Sequence, residues 1–136
     1  MTDQNNKIQT IKSLVREIDR EGKSLLSIND LSNDQIYKTF ELARILEPWN
    51  RSKLDLLSGN VLAALFFQPS TRTRMSFETA MHRLGGAVIT EANPMVSSSA
   101  AKEESLADMM KVMSKYANVI VLRHPDDKAA LDGASY

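Results

Sequence analysis

A chain of 136 residues is long enough for one domain with a substantial core and short for two. With 43% apolar and 25% charged residues it has the composition of an ordinary soluble globular protein, and its 17 basic side chains balance 17 acidic ones. That balance excludes a global field that would gather nucleic acid or an acidic membrane, and the lack of cysteine excludes disulfides, thiolate nucleophiles and cysteine-ligated metals.

The first stretch, "MTDQNNKIQT", lacks the basic and then apolar pattern of a signal peptide, and no apolar run approaches the roughly 20 residues of a membrane span. The expected location is the cytoplasm, with no membrane partner. Ile8, Ile11, Leu14, Val15 and Ile18 recur at helical spacing, which predicts an amphipathic helix over residues 6–21 that Gly22 ends. "SLLSINDLS" reads as an extended connector. Ser32 then opens a capping box with Gln35, followed by a helix whose face is Ile36, Tyr37, Phe40, Ala43 and Leu46 and which Pro48 stops. "VLAALFF", Val61 to Phe67, is short, continuously apolar and bounded by turn residues, as a strand buried on both faces of a parallel sheet should be. A helix from about Thr73 to Leu84 follows, with Met75, Phe77, Ala80, Met81 and Leu84 mostly on one side and Gly85–Gly86 at its end. Ala87 to Thr90 reads as a second strand, Glu103 to Tyr116 as a helix, Asn118 to Leu122 as a third strand, and a short last helix starts near Asp126.

Strand, helix, strand, helix, strand is the order of a parallel α/β layer, and right-handed crossovers bring the C-terminal ends of its strands to one rim. Ligands bind outside that rim. Gln68 to Thr73, Glu91 to Lys102 and Arg123 to Asp127 converge there, and all three segments carry polar residues suited to an anion. "PSTRTR" sits where a strand turns into a helix, whose first turn offers unpaired N–H groups and the positive end of the dipole. Ser70, Thr71 and Thr73 add hydroxyls, and Arg72 adds a planar fork matched to two phosphate oxygens. Ser70 as a plain helix cap and the arginines as a solvated face is the competing view; two arginines and three hydroxyls behind a buried strand outweigh it. Arg123 supplies a second cation at the rim. Lys102, after Ser97, Ser98 and Ser99, lies in a polar loop able to bring one charge and a hydroxyl to a closing site. His82 and His124 read as structural or loop residues far apart in sequence, and the methionines as core.

"FFQPSTRTRMSFETAMHRLGG" resembles the signature of the aspartate/ornithine carbamoyltransferases, centred on S-T-R-T-R and S-F-E. "SINDLS" before it and "KEESLADMMKVMSKYANVIVLRHP" after it resemble the aspartate branch, so the likeness covers roughly residues 24 to 130. It implies a partial, Rossmann-like carbamoyl-phosphate-binding domain over residues 24–136, incomplete at the C-terminus, behind a helical extension of residues 1–23. It further implies transfer of a carbamoyl group from carbamoyl phosphate to L-aspartate in pyrimidine synthesis, with no cofactor and no metal. Ser70, Thr71, Arg72 and Thr73 would hold the phosphate, and Arg123 would contact the phosphate and carbamoyl region. Ser98 and Lys102 would reach a neighbouring subunit's site in a homotrimer, Lys102 touching both substrates. An ornithine enzyme would be expected to lack that lysine, whereas Gln68 stands where the aspartate branch often has glutamate. The family's His-Pro-x-Gln segment and amino-acid-binding second domain are not among these 136 residues. The chain by itself is therefore expected to be inactive and prone to association; a fragment of an ornithine or other carbamoyltransferase is one alternative, a non-catalytic phosphate-binding or subunit-association module is another, and nucleic acid is not an expected partner.

Overall fold

The structure is a computed structural model that describes residues 2–20, 22–49, 53–92 and 105–135, with side chains from Asn5 onward. The chain divides into two compact units, Met1–Arg51 and Ser52–Tyr136.

The first unit is a helical pair. Helix α1 spans Thr2–Ile18 and α2 spans Asn33–Leu46, and the two pack on each other. Ile11 and Leu14 are the buried residues of α1. The helix stops at Ile18, before the expected Gly22, because Asp19 takes the left-handed conformation at φ 49°, a place that aspartate tolerates better than most residues. The capping box forms as read: Ser32 Oγ accepts from Gln35 N, and Gln35 Oε1 accepts from Ser32 N. Gln35 Nε2 also donates to Ile18 O at 2.5 Å, joining the start of α2 to the end of α1. The apolar face expected on α2 is partly outward, since Tyr37 and Phe40 are exposed. A second capping box closes the 3-10 turn Ile28–Asp30, where Asp30 Oδ2 accepts from Leu26 N and Ser27 N at 2.8 and 2.9 Å. Those two bonds, chiefly, hold the Asp30 carboxyl below its ordinary pKa.

The second unit is a parallel sheet with helices on both faces. Strands β1 (Val61–Phe66), β2 (Ala87–Ala92) and β3 (Val119–Arg123) lie in the order β2-β1-β3. Strand β1 is central and buried from its second residue onward, so the continuous apolar run meant what it suggested. Helix α3 (Thr71–Arg83) joins β1 to β2, and α4 (Leu106–Tyr116) joins β2 to β3. A short α5 (Ala129–Gly133) follows. Leu62, Ala64 and Phe66 of β1 pack with Met81 of α3, whereas Leu65 and Phe67 pack with Met109 and Met110 of α4. Alternate β1 residues thus meet different helices, as strand geometry requires. The opposite directions of the two crossovers place their helices on opposite faces when both are right-handed.

The end of α3 is clamped. Leu54 N donates to Arg83 O at 2.6 Å, and Leu56 N and Leu57 N both donate to Leu84 O, at 2.9 and 2.8 Å. Gly85 follows with φ +95°, and a Cβ there would stand 2.9 Å from Leu54 O. The clamp fixes the register of α3 along the strands. A helix of 13 residues rises about 20 Å and a strand of six residues spans about the same, so a helix ending at this clamp starts at the C-terminal rim. The inward face of α3 differs from the one expected from hydrophobic spacing. Met75 and Phe77 are exposed, and Arg74, Glu78 and Met81 occupy the more sheltered positions one turn apart. Among the described residues no helix is long and apolar enough to cross a membrane.

Candidate anion site at the sheet rim

The rim is defined by the register. Phe66, Ala92 and Arg123 are the last residues of their strands; Phe66 pairs with Ala92 on one side and Arg123 on the other. In-register residues of a parallel sheet share a face, so Arg123 lies on the side that carries α3. It is the final residue of β3, where the sequence had suggested the first residue of a loop, and its carbonyl accepts from Phe67 N at 2.8 Å.

From this rim the connector Phe67–Ser70 turns into α3, which begins two residues earlier than the sequence suggested. Ser70 becomes the N-cap, with φ −159° and ψ 83°, yet its hydroxyl makes no capping bond. The first intrahelical bond is Arg74 N to Ser70 O, at 3.2 Å. The amides of Thr71, Arg72 and Thr73 therefore have no partner within the helix, and the first turn holds no acidic residue to compete for them. Ser70 thus occupies the cap position of the competing view without making the side-chain bond of a cap.

A cleft of about 220 Å³ opens at this point. Phe66 forms part of it, with Gln68, Pro69 and Ser70 of the connector, Thr71 and Arg74 of α3, and Ala92 of β2. Of the residues singled out from the sequence, Ser70 and Thr71 thus line the cleft. Arg72 and Thr73 are exposed in the same helical turn but are not part of the cleft wall. Arg123 is exposed at the same level of the sheet. Ser98 and Lys102 fall outside the described residues.

The arginine in the cleft wall is Arg74, to which the sequence had given no individual role. Its Nη1 pairs with Glu78 Oε1 at 2.9 Å, and the same oxygen accepts from Thr90 Oγ1 at 2.7 Å. The four-residue spacing of Arg74 and Glu78 on one helix was a legible signal for this pair. His124 is a structural neighbour of the rim: its ring meets Phe67 edge-on at 4.7 Å, and its Nδ1 accepts from Asp126 N at 3.0 Å. Among the described residues no group of three histidine or carboxylate side chains is placed to hold a metal ion.

Comparison with known proteins places this geometry in context. Residues 23–136 match the family model described as aspartate/ornithine carbamoyltransferase, carbamoyl-P binding domain. The chain is 75% identical over 129 residues to a ureidoglycine carbamoyltransferase of Rubrobacter xylanophilus, an alignment covering 95% of this chain and 38% of that protein. It is 49% identical over 116 residues to the aspartate carbamoyltransferase catalytic subunit of Methanocaldococcus jannaschii, covering 84% of this chain and 38% of the relative. The crystallised catalytic subunit of aspartate transcarbamoylase from M. jannaschii superposes with a TM-score of 0.75 at 48% identity, covering 82% of this chain and 37% of that one. Aspartate transcarbamoylase from Trypanosoma cruzi, in complex with carbamoyl phosphate and aspartate, superposes with a TM-score of 0.77 at 37% identity, covering 84% and 38%. The chain spans about 38% of the length of the curated relatives it matches.

Proposed function

Because the chain belongs to the aspartate/ornithine carbamoyltransferase family, we propose that it supplies the carbamoyl-phosphate seat of a carbamoyltransferase, over a domain of residues 24–136. The observation that carries this is the cleft at the β1–α3 junction, where an N-cap hydroxyl without a capping bond meets unpartnered first-turn amides. Ser70 and Thr71 offer hydroxyls to the phosphate from the cleft wall, and the exposed side chains of Thr73, Arg72 with its fork, and Arg123 on β3 would reach it from outside that wall. The reaction needs no covalent help from the protein. The lone pair of an acceptor amine attacks the carbamoyl carbon, the carbon–oxygen bond to phosphate breaks, phosphate leaves with the electron pair, and the amine gives up a proton. The barrier falls through placement of the two substrates and stabilisation of charge on the departing phosphate.

Finer similarities bear on the acceptor. Identity of 75% to a protein named for ureidoglycine, against 45–49% to several named for aspartate, favours ureidoglycine. L-Aspartate, with a role in pyrimidine synthesis, is the second reading, favoured by the serine-plus-lysine loop that carries Ser98 and Lys102. Both amines stand beside a carboxylate; they differ in a neutral ureido arm against a charged carboxymethyl arm. In either case the working enzyme is read as a cytoplasmic homotrimer in which that loop reaches a neighbour's site. The 136 residues alone are expected to bind phosphate without turning over either amine, and amine-dependent release of phosphate by the purified chain would refute that expectation.

Calorimetric titration with inorganic phosphate and with carbamoyl phosphate tests the seat. Arg72→Ala should weaken binding roughly 10- to 100-fold, the loss expected for a hydrogen bond to a charged group, and Arg72→Lys should recover only part of it. Equal affinity in Arg72→Ala and the unaltered chain would remove Arg72 from the seat.

A further inference from the structure

Arg74, Glu78 and Thr90 form a cluster beside the cleft that the phosphate contacts above leave unused. Arg74 lines the cleft, Glu78 lies one turn farther along α3, and Thr90 lies on β2, two residues before Ala92, which also lines the cleft. Both Arg74 Nη1 and Thr90 Oγ1 donate to one atom, Glu78 Oε1, so a single carboxylate oxygen ties α3 to β2. The pair is sheltered, with the Arg74 side chain 30% and the Glu78 side chain 20% exposed, and sheltered charges are screened less by salt.

Glu78 is the one acidic residue of α3. A loose carboxylate one turn from an anion seat would repel the anion. The observed bonds keep it in place. The Thr90 hydroxyl holds the carboxylate against the sheet, and the carboxylate holds the guanidinium in the cleft wall. We infer that Glu78 and Thr90 are positioning residues for the anion site: the Thr90 hydroxyl anchors Glu78, which fixes Arg74 beside the cleft while its own charge stays tethered. The inference rests on the phosphate seat proposed above.

The test uses the whole chain, inorganic phosphate as the probe, and two substitutions of one residue. Thr90→Val keeps the shape and removes the hydroxyl; Thr90→Ser keeps the hydroxyl. Because Thr90 acts on the anion only through Glu78 and Arg74, Thr90→Val should weaken phosphate binding less than the loss of a direct contact, by roughly threefold to tenfold, whereas Thr90→Ser should stay within about twofold of the unaltered chain. The Arg74 Nε–H resonance, read by NMR before phosphate is added, should shift in Thr90→Val and remain in place in Thr90→Ser. Unchanged phosphate binding in Thr90→Val, or equal losses in both variants, overturns the inference and leaves the seat standing. Unfolding of Thr90→Val alone would make the hydroxyl a stability element and overturns it as well. No phosphate binding by the unaltered chain removes the seat itself, and the inference with it.

Discussion

Replacing Gly85 with alanine probes the clamp that sets where α3 begins. Two costs add at this position. Backbone at φ +95° disfavours any side chain, by about 1–2 kcal/mol. The new Cβ would also stand 2.9 Å from Leu54 O and 3.2 Å from Asp55 Cα, backbone atoms that cannot swing aside, and overpacking of that kind costs about 1–3 kcal/mol. Alanine stiffens the unfolded chain, which returns about 0.4–1 kcal/mol. The expected net loss is about 2–4 kcal/mol, a fall in melting temperature of roughly 10–20 °C for a unit of this size. Gly59→Ala is the matched control. Its φ is +82°, and an added Cβ there meets nothing within 4 Å, so it isolates the backbone cost and should fall by only about 4–8 °C. Far-UV circular dichroism melts of both variants, with reversibility checked on rescanning, give the comparison. If the two variants melt within about 3 °C of one another, the steric part of the clamp is wrong, and with it the argument that Gly85 sets the register of α3.

Two further outcomes are expected. Asp30 has its pKa lowered below 3.8 by the amides of Leu26 and Ser27, with the Arg20 charge assisting, so its contribution is present above pH 3.8 and is lost as pH falls through the folded-state value. Acid titration of the helical unit should show that loss, and Asp30→Asn should abolish the dependence; an unchanged acid profile in the variant would count against the capping box as its source. Met81, 4% exposed and packed with Leu62, Ala64 and Phe66, should cost about 2–4 kcal/mol as Met81→Ala in chemical denaturation, and a loss under about 1 kcal/mol would mean that α3 does not rest on it.

How legible this was in the sequence varied with the kind of signal. The run Val61 to Phe67 announced a buried strand because a strand covered on both faces has no reason to alternate. Ser32 and Gln35 announced a helix start because the bonds they make are local. Hydrophobic spacing on α3 misled. Met75 and Phe77 point outward, and the sheltered face near the rim carries an ion pair, because the cleft there favours polar side chains over core. The candidate site was readable as a motif, S-T-R-T-R behind a strand, but which of its two arginines lines the cleft was not. Arg74 faces the cleft and Arg72 does not, and that depends on where the helix begins, two residues earlier than spacing implied. The Thr90 contribution was invisible, since it joins residues 12 apart only through the parallel pairing of β1 and β2.

Among the described residues, the order β2-β1-β3 makes β1 the strand that pairs with both of its neighbours at the rim. Strand β2 leads toward the stretch that carries Ser98 and Lys102, and β3 carries Arg123, but the two strands do not hydrogen-bond to each other. The side chains that follow β2 can therefore be exchanged without breaking a single backbone bond between β1 and β3. Under the function proposed above, such an arrangement would be modular, with the rim of β1 and β3 held constant while the sequence that follows β2 varies.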